Sequence, residues 1–79
     1  MNNIKVGTYI ATFNSGTTSI AFSSIGLSTR PEVMLLTCQS QDTWMKYDFD
    51  NSSSNIRIKV GGSLSGAVRF AFLAVVKGL

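Results

Sequence analysis

Histidine is absent from this 79-residue chain, and cysteine and proline occur once each. Without histidine there is no Ser-His-Asp or Cys-His pair to activate a nucleophile. The single thiol, Cys38, cannot close an intrachain disulfide, and alone it cannot build a zinc site. It ends an apolar run, where a small thiol is expected to pack into a core. No metal or other cofactor is expected. Charge is scarce as well: seven basic and four acidic side chains leave a net charge of +3. Only Arg57 and Lys59 fall close together on one strand face, whereas nucleic-acid footprints cluster more strongly, so no nucleic-acid partner is expected. Low charge with 44% apolar content also argues against disorder.

Long apolar runs are missing too. The longest nearly apolar stretch, Phe70 to Val76, is too short to span a bilayer as a helix, so no membrane insertion is expected. The start, Met1 to Lys5, is polar and lacks the apolar core of a secretory signal, so no signal peptide is expected.

Ser, Thr, Asn and Gly are abundant, and they separate short runs of β-branched and aromatic residues. That punctuation predicts an all-β fold. Ile4 to Phe13 reads as a first strand, with Ile4, Val6, Thr8, Ile10 and Thr12 on one face and Lys5, Gly7, Tyr9, Ala11 and Phe13 on the other. Asn14-Ser15-Gly16 is a turn, and Thr17 to Phe22 or Ser23 a second strand with Ile20 and Phe22 inward. Ile25 and Leu27 plug the connector that follows. Glu32 to Cys38 is a third strand, started at Pro31, and its two apolar faces predict a central position. Thr43 to Asp50 alternates sharply, with Met45, Tyr47 and Phe49 on one side and Trp44, Lys46, Asp48 and Asp50 on the other. Asn51 to Asn55 is a turn. Ile56, Ile58 and Val60 then point inward, with Arg57 and Lys59 outward. The last strand is Ala67 to Val76. A helix over Ser65 to Val76, capped by Ser65, is its competitor. The sum is a single domain, residues 1–79: a compact six-stranded antiparallel β-sandwich.

Small size sharpens the meaning of that last strand. A chain of this length buries only about 60% of its unfolded surface and is marginal without help. An intrachain disulfide is impossible, one between two copies through Cys38 is disfavoured by its apolar setting, and no metal is expected, which leaves oligomerisation or an unusually efficient β core. In the last strand Val68, Phe70, Phe72, Ala74 and Val76 supply the chain's own core. Ala67, Ala71, Leu73 and Val75 on the opposite face are surplus, broken by Arg69. Small and aliphatic residues with an arginine toward the rim are the composition of a subunit contact. Ala67, Arg69, Ala71, Leu73 and Val75 are therefore the expected oligomer interface.

Three segments stand out: Gly16-Thr17-Thr18-Ser19-Ile20-Ala21-Phe22-Ser23, Arg30-Pro31-Glu32-Val33-Met34-Leu35-Leu36 and Arg69-Phe70-Ala71-Phe72-Leu73-Ala74-Val75. They resemble the "G-x-x-x-I-x-F", "P-x-V" and "F-x-W-x-A" strands of the H-type lectin-like fold and of the related small modules at the tips of bacteriophage tail fibres and receptor-binding proteins, with Phe72 where tryptophan often stands. The likeness runs from about Gly7 to Val76. It implies a homotrimer in a virion that takes part in recognising a host surface, with a cell-surface glycan or another virion protein as partner. A purely structural or assembly protein of a virion, without glycan binding, is the alternative. No string in the chain matches the family's sugar site.

Few side chains suggest chemistry of their own. Asp48 and Asp50 share a strand face, and pairing with Lys46, or with Arg57 and Lys59 across the hairpin, explains them better than a glycosidase pair or half a calcium site. The chain is not expected to be an enzyme. Trp44 is the strongest binding candidate, because an outward indole can stack on a sugar ring or anchor an interface. Gln39, Gln41, Asp42 and Lys46 around it complete the candidate ligand-binding set. A nucleic-acid module, using Arg57, Lys59 and aromatics on the sheet, is a minor alternative.

Overall fold

Side chains alternating between two faces build six strands in the computed structural model, which describes residues 3–49 and 54–76. They are β1 (Ile4–Phe13), β2 (Thr17–Ala21), β3 (Val33–Cys38), β4 (Met45–Phe49), β5 (Asn55–Val60) and β6 (Gly66–Val75). Short 3-10 turns follow β2 (Phe22–Ile25) and β5 (Gly61–Ser63). Two antiparallel three-stranded sheets result, in the orders β1-β6-β3 and β2-β5-β4. The chain is all-β, and the helix alternative for the last segment does not form. Asp50 and Asn51 to Ser53 lie outside the described residues.

The core sits between the sheets. Phe13, Met34, Phe70, Phe72 and Ala74 face it from one side, and Ile20, Ile56, Ile58 and Val60 from the other. Met45, Tyr47 and Phe49 are half-buried against this cluster, and Ile25 and Leu27 close its end as plugs. Aromatic edges interlock within it: Phe22 meets Phe49 with centroids 5.7 Å apart, and Tyr9 meets Phe70 at 6.1 Å. Such pairs favour tilted or edge-to-face geometry because ring faces are negative and ring edges positive.

The β1–β2 turn carries the chain from one sheet to the other. Ser15 and Gly16 both take positive φ, 54° and 83°, as a two-residue hairpin turn requires. Gly16 is also buried: its N–H donates to the Leu64 carbonyl at 2.7 Å, and its carbonyl accepts from Val60 N–H at 2.9 Å. A Cβ there would lie 3.1 Å from the Ser63 Cα, so the position requires glycine on two grounds.

The structure corrects several expectations. β3 is an edge strand and β6 the middle one, although both faces of β3 are apolar. Its outer side chains, Val33 and Leu35, are exposed rather than covered by a second layer. β3 also begins one residue later than expected, leaving Glu32 outside it, and β4 begins at Met45, leaving Thr43 and Trp44 in the preceding loop. β2 ends at Ala21. Phe22 keeps its expected burial by turning into the 3-10 segment, which Gly26 ends with φ 84°. Finally, β6 runs from Gly66 to Val75, and Val76 is buried just beyond it.

Candidate functional surfaces

The register of the first sheet places its outward side chains in rows. Ile4, Val75 and Val33 form one row, and Val6, Leu73 and Leu35 the next. Thr8, Ala71 and Thr37 follow, and then Ile10 beside Arg69. Ile4, Val6, Ile10, Val33 and Leu35 are between 44% and 66% exposed. A contiguous apolar sheet face therefore stands open to solvent on a single chain. Isolated exposed hydrophobics need no explanation, but a continuous patch of this kind is the usual feature of a surface that meets a partner.

Of the expected interface residues, Ala67, Arg69, Ala71, Leu73 and Val75 all lie on this face, along its middle strand. The larger contributors come from the flanking strands, which residue counting along β6 alone missed. The signal was present in β1: once Tyr9, Ala11 and Phe13 turn inward, Ile4, Val6 and Ile10 must point out. Arg69 sits one row in from the end, opposite Ile10, with Ala67 and Thr12 beyond it.

The loop 39–44 is tied to the same strand. Gln39 N–H donates to the Arg69 carbonyl at 2.9 Å, and Arg69 N–H donates to Ser40 Oγ at 2.9 Å. Gln39, Gln41 and Asp42 are exposed on this loop, and Trp44 at its end is 54% exposed. The indole is held rather than free. Lys46 Nζ stands 5.0 Å from its ring centroid, and Gly61 N–H donates to the Trp44 carbonyl at 3.3 Å. Gly61 has to be glycine for the same contact, since a Cβ would come within 2.8 Å of the indole Nε1.

The outward face of the second sheet has the opposite character. Lys46 lies directly opposite Lys59, and Asp48 directly opposite Arg57. Arg57 Nη2 is 3.0 Å from the Asp48 carboxylate, both side chains being about half exposed. Lys46, Tyr47, Asp48, Arg57 and Lys59 line an open depression of about 130 Å³. Gln39, Gln41, Asp42 and Trp44 do not line it, so the structure divides the candidate ligand set between the 39–44 loop and this dent.

No family model, curated protein or solved structure matches the chain. The depression is small against the ~300–1,000 Å³ of small-molecule pockets. Asp48, one half of the carboxylate pair weighed for glycosidase chemistry, is engaged with Arg57 instead; Asp50 lies outside the described residues. Among the described residues no three His, Cys, Asp or Glu side chains gather where they could hold a metal ion. No helix among them is long and apolar enough to cross a membrane. What the arrangement can do is bury an apolar sheet face against a partner while presenting a charged face and an indole on the other side.

Proposed function

We propose that this chain is a non-enzymatic, oligomeric module of a phage virion or tail fibre that takes part in recognising a host surface. The observation that carries the assembly part is the open apolar face of the β1-β6-β3 sheet, with Val6, Ile10 and Leu35 each more than 60% exposed. A small domain that leaves such a face uncovered gains stability by covering it with a partner. The virion setting rests on the resemblance of the Gly16, Pro31 and Phe70 segments to H-type lectin-like tail-fibre modules. Recognition, of a surface glycan among other ligands, falls to the side away from the apolar face, where Trp44 and Lys46 stack. Multi-angle light scattering at micromolar concentration tests assembly: a stable monomer would sink it. A glycan array probed with assembled protein tests recognition, and silence across neutral and acidic glycans would remove the lectin part.

One observation favours the second reading, a structural or assembly protein of a virion without glycan binding. Trp44 already packs on Gly61 and beneath Lys46, which leaves less of the indole for a sugar ring. Co-purification with other virion proteins, with no glycan bound, would decide for it.

A further inference from the structure

We propose that the apolar face of the β1-β6-β3 sheet is covered by the same face of a second copy. The two-fold axis would run across the strands and pass over the middle of β6, between Leu73 and Ala71. This rests on the reading of that face as an assembly surface, and it fixes the occupant and the symmetry. Three observations carry it.

The first is area. The five exposed large apolar side chains of this face leave on the order of 500 Å² of apolar surface, the upper range for a patch on a monomer. With Leu73, Val75, Ala71 and the threonine methyls, the face approaches the ~800 Å² that one partner buries in a standard interface. A flat three-stranded face is also the shape that packs on another sheet, about 10 Å away with strands nearly aligned.

The second is fit. An axis between Leu73 and Ala71 reverses the order of the rows on the partner. Leu73 then lies over the partner's Ala71, Val6 over the partner's Thr8, and Leu35 over the partner's Thr37. Each large side chain meets a smaller one, as interdigitating layers require. Ile4 meets the partner's Ile10, and Val75 the partner's Arg69.

The third is Arg69, the one charged residue in these rows. Arrangements that keep the strands of the copies parallel bring like charges together. A three-fold axis facing β6 would converge three guanidinium groups, and a two-fold axis along the strands would set Arg69 on the partner's Arg69. Like charges brought together in an apolar interface repel strongly. The axis across the strands instead separates the two arginine Cα atoms by about 20 Å, three residues on either side of it at ~3.3 Å each. It also lays each Arg69 over the partner's Val75 row.

The full chain tests this with two measurements. Light scattering is expected to give a dimer, twice 8.5 kDa. A nitroxide on Thr12→Cys, in a Cys38→Ala background, reports the axis, because Thr12 is exposed at the far end of β1. The label-to-label distance is expected on the order of 35 Å for strands reversed across the axis, five residues on either side of Gly7. A trimer mass with labels closer than about 20 Å, roughly the spacing of neighbouring edge strands around a three-fold axis, overturns the two-fold axis and leaves the oligomeric reading standing. A dimer with that short distance overturns this axis alone. A monomer overturns both.

Discussion

The hydroxyl of Tyr47 accepts the backbone N–H of Met34 at 3.1 Å, joining the edge strands of the two sheets. β3 pairs on one side only, so this amide would otherwise have no ladder partner. The phenol satisfies it while the ring packs beside Phe49 at 5.3 Å. Tyr47→Phe keeps the ring and removes the acceptor. It is expected to lower stability by about 1–2 kcal/mol, since a partly buried donor is left unmade. Urea unfolding checks this, and an unchanged midpoint would show that water replaces the hydroxyl.

Much of this architecture was legible because side-chain alternation has a period of two. Arg57 and Lys59 against Ile56, Ile58 and Val60 leaves one way to place β5, and the structure places it so. The same rule could not tell a strand with two covered faces from one whose outer face awaits a partner. Both are apolar on each side, so alternation alone predicts a central β3. Phe22 illustrates a second limit: its burial followed from its chemistry, but the turn that delivers it depends on Gly26 at φ 84°, which alternation does not encode. Trp44 illustrates a third. Its outward position was readable from β4, whereas its contact with Gly61, seventeen positions away, arises only when β5 ends beside it.

Gly61→Ala should displace the indole. The new methyl would lie 2.6 Å from Thr43 Oγ1 and 2.8 Å from Trp44 Nε1, closer than packed atoms tolerate. A loss of about 1–3 kcal/mol is expected for overpacking at a site closed on two sides. The single tryptophan makes the readout direct: its emission should shift to the red as the ring moves into water.

The Asp48–Arg57 pair should matter little to stability. Both side chains are about half exposed, and surface pairs contribute roughly 0–1 kcal/mol. Asp48→Ala is expected to cost less than about 1 kcal/mol and to lose that effect in high salt. A larger, salt-insensitive loss would mean that Asp48 does more than balance Arg57.

Lys46 and Lys59 face each other directly across β4 and β5. Like charges in register oppose pairing, and opposite charges support it by about 0.2–1 kcal/mol. Lys59→Glu is therefore expected to raise the unfolding midpoint at low ionic strength, with the gain shrinking as salt is added. No gain at low salt would show that Lys46 stays committed to Trp44, whose ring lies 5.0 Å beneath its ammonium.

Met34 and Leu35 are neighbours in the chain with opposite exposures, 2% and 61%. Met34→Ala opens a cavity between the sheets and should cost about 2–5 kcal/mol in the isolated chain. Leu35→Lys removes nothing from that core, so unfolding at high dilution should change by no more than about 0.5 kcal/mol. It does place an ammonium in the middle of the apolar face, where a partner would have to desolvate it. Sedimentation at micromolar concentration should then show the Leu35→Lys chain as a monomer with its β-sheet circular dichroism intact. If the substituted chain keeps its mass as an oligomer, assembly runs through a different surface, and the open face of β1-β6-β3 has another occupant.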